Sequence, residues 1–332
     1  MPSWTSHEES SIWPRKWSFT LAIVLGALYG FGLRFGFGQW SHNYNASLVM
    51  TLGFLAFGPV AIGFLTIQQA EVVQRRKVWQ WIIAPWLPTS ISCGLAVLFR
   101  LEGYICVIFA LPITLFFSSL GGVAAGILIR TTQRRQGVTT VCVALLPFLL
   151  APLEDNRLPS TSVHTVTSEI RIQASPEVVW QNIERVPAIA PSELRTTWAQ
   201  HIGFPRPVEA TLSYEGIGGV RHASFERGLM FIETITTWEP EQRLAFSIKA
   251  DTAHIPPTTL DEHVTIGGRY FDVLDGEYRI ESLANGDVLL HLTSHQRLST
   301  DFNGYAGLWS DAVMQNLQTS ILEVIQHRCE HA

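Results

Sequence analysis

Charge is scarce in this chain. Only 15% of its 332 residues are Asp, Glu, Lys or Arg, against roughly 25% in an ordinary soluble domain. A nucleic-acid binder needs a basic surface, and a formal net charge of −5 argues against one. Disorder and a collagen-like fibre are excluded as well, because 47% of the residues are hydrophobic and no Gly-X-Y period runs through them. The cysteines offer no disulfide framework: Cys93, Cys106 and Cys142 sit in apolar runs, and Cys329 stands alone near the C-terminus. Gly-x-Ser-x-Gly, a Walker loop, a strand-linked Gly-x-Gly-x-x-Gly and His-Glu-x-x-His are also missing. Serine-hydrolase, nucleotide, dinucleotide and zinc-protease chemistry are therefore left without a signature.

The shortage of charge is uneven. Residues 1–157 carry 11 Lys/Arg and 6 Asp/Glu, whereas 158–332 carry 12 and 22, so the halves have net charges of +5 and −10. Two bodies in different solvents are implied.

The first half is built of long apolar runs: Trp17–Leu33, Leu48–Ile67, Val78–Phe99, Tyr104–Ile129 and, shorter, Val138–Ala151. About 20 apolar residues cross a bilayer core of roughly 30 Å. The pattern predicts a multi-pass α-helical membrane bundle over 17–151, behind a tail of residues 1–16. The fifth run has only 14 residues, fewer than a span usually needs. Arg15, Lys16, Arg75, Arg76, Lys77, Arg130, Arg134 and Arg135 all fall on one side of the predicted spans, against Arg34, Arg100 and Arg157 on the other. Since Lys and Arg stay on the cytoplasmic side, the N-terminus is expected in the cytoplasm. If the fifth run spans, the C-terminal half lies outside it, at the cell membrane.

Trp13, Trp17, Trp40, Trp79, Trp81 and Trp86 cluster at span ends and read as interfacial anchors. Gly26/Gly30, Gly32/Gly36 and Gly122/Gly126 have the spacing of close helix packing. Pro85 and Pro88 are placed to break the third run. No ionisable residue lies in mid-run, so transport is not expected of this half.

After a linker at 152–164 the hydrophobic period changes. Thr167–Ile172 alternates as a strand, and Ser175, Pro176 and Glu177 supply a cap, a first-turn proline and an early acid for a helix carrying Val178, Val179, Trp180 and Ile183. A second helix is expected over Pro191–Gln200. Six strands follow at Val208–Tyr214, Gly219–Glu226, Leu229–Trp238, Arg243–Ala250, Tyr270–Ser282 and Asp287–Ser299, with Arg227-Gly228, Glu239-Pro240 and Asn285-Gly286 among the turns. In Phe302–His327, Tyr305, Leu308, Trp309, Ala312, Val313, Leu317, Ile321 and Val324 share one helical face.

This order, with the opening Ile172-Gln173-Ala174-Ser175-Pro176-Glu177-Val178-Val179-Trp180 and the turn Trp238-Glu239-Pro240, resembles the START-like helix-grip superfamily. That group is also called SRPBCC, or the polyketide cyclase/dehydrase and lipid transport group. The resemblance covers residues 165–332. It implies an α+β helix-grip domain in which a curved antiparallel sheet closes on a long C-terminal helix. It also implies a cavity for a sterol, lipid, polyketide or similar apolar ligand, and in some members cyclisation or dehydration.

In such a domain the densest polar group is Asp261-Glu262-His263, Tyr270, Asp272, His295, Arg297, Asn303, Tyr305 and Trp309. His263 or His295 with Asp272 would be the acid–base candidates. Phe225, Phe231, Phe246, Tyr270, Arg297, Asn303, Tyr305 and Trp309 would line the ligand. The competing reading puts His291, His295 and Arg297 on the solvated face of their strand, since Val288, Leu290 and Leu292 occupy the other. Arg221, Glu226, Arg227 and Glu233 read as cross-strand ion pairs, and burial of one would change that assignment.

No metal or cofactor is expected. His291 and His295 lie about 13 Å apart on a strand, and His327, Cys329, Glu330 and His331 sit at a fraying helix end. The expectation is a membrane protein presenting a domain that binds a small hydrophobic or lipid-like ligand at the bilayer surface. Its alternatives are a tethered cyclase/dehydratase and a ligand-responsive sensory or interaction module.

Overall fold

The computed structural model of the protein describes residues 15–44, 48–71, 77–132, 137–155, 160–251 and 266–331. They form two compact units, Met1–Glu102 with Val107–Arg157, and Leu158–Ala332 with Gly103–Cys106.

The first unit is helical: α1 (Arg15–Tyr44), α2 (Gly58–Glu71), α3 (Val78–Ile83), α4 (Trp86–Leu98), α5 (Tyr104–Thr132) and α6 (Gly137–Asp155). Four stretches, Phe19–Trp40, Val78–Leu98, Tyr104–Thr132 and Gly137–Glu154, are long and apolar enough to cross a membrane. The short fifth run of the sequence thus extends to a full-length helix, continuous through Pro147 and Pro152.

The expected span Leu48–Ile67 is instead interrupted. A 3₁₀ turn at Leu48–Met50 and a π turn at Gly53–Phe57 precede α2, leaving a shorter apolar helix over Gly53–Gln69. The Glu154 carboxylate accepts the Gly53 amide at 3.1 Å, meeting a donor that the irregular turn leaves free. The third run breaks between α3 and α4 at Ala84–Pro85.

Glycines set helix separation in this unit. A methyl at Gly63 would lie 1.8 Å from the Ser118 carbonyl, and one at Gly121 2.0 Å from that of Val60, so α2 and α5 meet backbone to backbone. Of the three expected glycine pairs, Gly26/Gly30 and Gly122/Gly126 lie at close helix contacts, against the Trp81 carbonyl for Gly122 and against side chains for the other three, while Gly32 and Gly36 meet nothing within 4 Å. Trp81 is not an exposed anchor, being buried beneath the Arg130 guanidinium at 4.1 Å. Arg34 is buried too, paired with Glu102 and donating to the Leu101 carbonyl.

The second unit contains β1 (Thr161–Ile172), α7 (Pro176–Glu184), α8 (Trp198–His201), β2 (Pro207–Leu212), β3 (Val220–Phe225), β4 (Met230–Glu239), β5 (Arg243–Asp251), β6 (Phe271–Ser282), β7 (Val288–Ser299) and α9 (Asn303–Glu330). The strands make one antiparallel sheet in the order β1-β7-β6-β5-β4-β3-β2. A large antiparallel sheet with a long C-terminal helix fits a helix-grip fold.

Ser175 caps α7 through the Val178 amide, with Pro176 in the first turn. Arg227 and Gly228 both take positive φ in the β3–β4 connection, and Gly286 does so in the β6–β7 hairpin. The expected helix over Pro191–Gln200 shrinks to α8. Glu193 turns back to accept the Ala190 amide at 2.7 Å and Arg328 at 2.6 Å, which holds a tight turn where helix was expected.

The helix α9 runs alongside β1. His164 meets Gly307, Ser168 meets Gln318, the Arg171 carbonyl accepts Gln326 at 2.8 Å, and Glu330 accepts the Gln173 amide at 3.0 Å. A methyl at Gly307 would lie 2.3 Å from the His164 ring, so the helix approaches the strand there only because position 307 has no side chain. The main core joins Ile172, Val179, Trp180, Ile235, Leu244, Phe246, Tyr278, Leu290, Leu292, Leu322 and Ile325. Trp180 and Trp238 meet edge to face at 5.1 Å.

Candidate functional site

The inner face of the sheet, the one packed with the core, can be followed strand by strand because antiparallel partners share a face. From β1 it runs through His164↔Gln296, Val166↔Ser294, Ser168↔Leu292, Ile170↔Leu290 and Ile172↔Val288. Across β6 and β5 it includes Val273, Tyr278, Leu244 and Phe246, and on β4 and β3 it includes Ile235, Glu233 and Arg221. Most of these positions are apolar, the polar ones being His164, Ser168, Ser294 and Gln296 towards β1 and β7 and Arg221 and Glu233 on β3 and β4, with the Tyr278 hydroxyl on β6. The exceptions are the points of interest.

Arg221 and Glu233 are Cα partners in β3 and β4. The guanidinium donates through Nη1 to the Glu233 carboxylate at 2.6 Å, with the residues 3% and 6% exposed. Phe246 and Tyr278 present their rings to the guanidinium carbon at 5.5 and 5.9 Å. Burial pushes the Glu233 carboxyl up, against the pull of Arg221, and raises the Tyr278 hydroxyl likewise. Burial alone would lower Arg221, but the Glu233 carboxylate beside it, together with the Tyr278 hydroxyl that also faces the guanidinium, outweighs that and holds it charged.

The pair is nevertheless incomplete. Among the described residues the buried Nε of Arg221 has no hydrogen-bond partner. An unmade bond from a charged buried donor costs more than the roughly 1–3 kcal/mol of a neutral one.

A second polar seam joins α9 to β1 and β7. Gln318 is fully satisfied, accepting from Ser168 at 2.9 Å and donating to Ser294 at 2.8 Å and to the Val166 carbonyl at 3.1 Å. Towards the start of the helix, Asp311 accepts Gln296 Nε2 at 2.8 Å and lies 3.1 Å from His164 Nδ1. Gln296 Oε1, Ser162 Oγ and Ser310 Oγ are buried there without a partner among the described residues.

The residues expected from sequence separate onto two faces. Phe246 is buried on the inner face, and Phe225 and Phe231 meet there edge to face at 5.3 Å, both partly exposed. Tyr305 and Trp309 make a similar contact at 6.5 Å on the first turns of α9. Tyr270 is buried beside the end of β7, where its carbonyl accepts the Ser299 amide at 2.9 Å. Asn303 ties the start of α9 to its surroundings, accepting the Thr300 amide at 2.7 Å and donating to the Ser160 carbonyl at 2.7 Å.

His295 and Arg297 do not join them. They alternate with the buried Ser294, Gln296 and Leu298 and so lie on the outer face, where His295 Nδ1 contacts Asp275 at 2.6 Å with 41% of its side chain exposed. Asp272 stands opposite Arg297 on that same outer face, while Arg297 donates to the Gly268 and Arg269 carbonyls. His263, with Asp261 and Glu262, lies outside the described residues.

Among the described residues no three His, Cys, Asp or Glu groups are arranged to hold a metal ion. Cys329 is buried against α7, its thiol pushed up to about 11 by desolvation, which leaves it a packing residue rather than a nucleophile.

No family model matches the chain, and no curated protein matches it. Among solved structures it is similar to a START superfamily protein from Mycobacterium smegmatis, at 11% identity over 50% of this chain and 97% of that one, with a TM-score of 0.35. It is similar also to truncated norcoclaurine synthase from Thalictrum flavum, at 10% identity over 53% and 99%, TM-score 0.33. A protein from Nitrosospira multiformis matches at 16% identity over 51% and 97%, TM-score 0.33. At these scores the likeness carries no argument, and the antiparallel sheet with its long C-terminal helix fits a helix-grip fold by itself.

Proposed function

We propose that the protein is an integral membrane protein whose helical unit holds a helix-grip domain at the bilayer surface, where the domain binds a small hydrophobic or lipid-like ligand on the inner face of its sheet. The N-terminus is cytoplasmic in this reading, and with the shorter apolar helix Gly53–Gln69 crossing as a fifth span beside the four longer ones, the domain lies on the opposite side of the cell membrane. The observation that carries it is the Arg221–Glu233 pair, because an apolar face with one buried donor left open is how a pocket orients an apolar molecule by a single polar atom. Partly exposed Phe225, Phe231 and Ile248 on the same face supply apolar contact. Exposed Leu21, Val24, Leu25, Leu28, Leu98 and Val138 on the helical unit support insertion in lipid.

The test is native mass spectrometry of the full-length protein purified in mild detergent. Wild type is expected to carry a co-purifying small molecule. Trp309→Ala should lower its occupancy, and a double variant with Arg221→Met and Glu233→Leu, which keeps the volume and removes the polar handle, should lose it. A wild type that carries nothing, or a double variant with full occupancy, would overturn the proposal.

The same constellation favours one second reading, a tethered cyclase- or dehydratase-type enzyme. Glu233, whose burial favours the protonated form, stands with Arg221 and Tyr278 as the group able to exchange a proton with a ligand. Conversion of the co-purified molecule on incubation, abolished by Glu233→Gln, would identify it.

A further inference from the structure

Two groups of opposite character, one on β3 and one on β7, stand unsatisfied among the described residues on the inner face of the sheet. Among the described residues, Arg221 Nε on β3 is a buried donor without an acceptor, and Gln296 Oε1 on β7 is a buried acceptor without a donor. The orientation of the Gln296 amide follows from Asp311, whose carboxylate takes Nε2 at 2.8 Å. Flipping it would set two oxygens against each other. Gln296 is 0% exposed, so bulk water does not supply the missing donor. Ser162 Oγ, two residues before His164 on the same face of β1, and Ser310 Oγ, beside Asp311, are buried and unpartnered at the same end of the seam.

The charge at the Arg221 end is already balanced. Glu233 neutralises the guanidinium at 2.6 Å, so a ligand carboxylate would bring an uncompensated negative charge into a buried site. A neutral acceptor, such as an ester or ketone oxygen, would complete the guanidinium without that cost. Between the two ends the inner face is apolar, with Ile248 opposite Glu233 on β5 and Val273 opposite Gln296 on β6. Four strand spacings separate β3 from β7 in the sheet order, roughly 19 Å along the surface, and less across a concave face.

Building on the ligand-binding reading above, we infer that the ligand is an uncharged molecule polar at both ends. It presents a carbonyl-type acceptor to Arg221, a hydroxyl that donates to Gln296 Oε1 and accepts from Ser162 or Ser310, and an apolar body to Ile248, Val273 and Phe246.

Full-length protein in mild detergent is titrated with three probes, methyl hexadecanoate, methyl ω-hydroxyhexadecanoate and ω-hydroxyhexadecanoic acid, with binding read by native mass spectrometry. The hydroxy ester is expected to bind about tenfold tighter than the plain ester, the effect of one buried hydrogen bond restored, and tighter than the free acid. Gln296→Leu should bring the ratio of the two esters to about one. Should that variant fail to fold, the wild-type ratios alone decide. Equal affinity for the two esters would overturn the inference and leave Gln296 Oε1 to a buried water only, with ligand binding intact. Tighter binding of the acid than of the hydroxy ester would overturn the neutral acceptor end. If none of the three binds, the ligand-binding reading fails for this class of lipid, and the two-ended ligand fails with it.

Discussion

Replacing Glu233 with Gln keeps the shape of the side chain and removes its charge, which strands the Arg221 guanidinium beside Phe246 and Tyr278. Removing one member of a buried ion pair costs about 3–5 kcal/mol. The glutamine carbonyl can still accept from Nη1 at the position the carboxylate holds, 2.6 Å away, so the lower end, about 3 kcal/mol, is the appropriate figure. At 1.4 kcal/mol per tenfold, amides protected by the β3–β4 and β4–β5 ladders should exchange roughly two orders of magnitude faster.

The measurement is hydrogen exchange by mass spectrometry on the full-length protein in detergent, reading peptides that cover Val220–Phe225 and Met230–Glu239. The double variant with Arg221→Met and Glu233→Leu supplies the internal control. Replacing a buried pair by apolar residues of similar volume is often neutral, so its exchange should return to within about tenfold of wild type. Wild-type exchange in Glu233→Gln would mean that the pair is hydrated, and the reasoning from burial would fall. A double variant as labile as the single one would mean that the surrounding face does not accept apolar side chains.

Other outcomes follow from the same geometry. Because His295 and Asp272 lie on the outer face, His295→Ala and Asp272→Asn should leave occupancy by the co-purifying molecule unchanged; a loss would return them to the site. Gly63→Val places carbon where the Ser118 carbonyl sits and should abolish a monodisperse peak in size-exclusion chromatography, whereas Gly32→Ala, which meets nothing within 4 Å, should not. Glu193 is held below the ordinary glutamate range, first by hydrogen bonds from Arg328. Its contribution is complete above that range, near pH 4.5, and is lost as the pH falls through the lower folded value. Exchange at residues 187–193, corrected for its intrinsic pH dependence, should therefore rise on acidification below that range, and Arg328→Gln should flatten the response. Added protease should reach the C-terminal domain in intact spheroplasts, and protection there would reverse the proposed topology.

What could be read in advance tracks how strongly hydrophobic contrast marks each element. On β7 the alternation of Val288, Leu290 and Leu292 with His291 is clear, and it sets His295 and Arg297 outward as the structure has them. The same alternation hides Ser294 and Gln296, because their inward positions are polar. They become intelligible only where α9, far along the chain, brings Gln318 and Asp311 to meet them.

On β3 there is no contrast at all. Arg221, Ala223 and Phe225 face inward and Val220, His222 and Ser224 outward, so neither face announces itself. The Arg227-Gly228 turn makes Arg221 and Glu233 legible as cross-strand partners, yet their burial depends on the whole sheet and on Tyr278, 45 residues beyond Glu233. The apolar run Leu48–Ile67 fails for the opposite reason. It is hydrophobic all round, and the turn that interrupts it is held by Glu154, about a hundred residues away.

Uniform sequence and polar inward positions thus conceal the same thing, a local choice made by a distant partner. The strands and helices came from periodicity. The candidate site is marked instead by buried donors and acceptors that lack a partner among the described residues, and for Arg221 Nε and Gln296 Oε1 the missing partner is the one a ligand would bring.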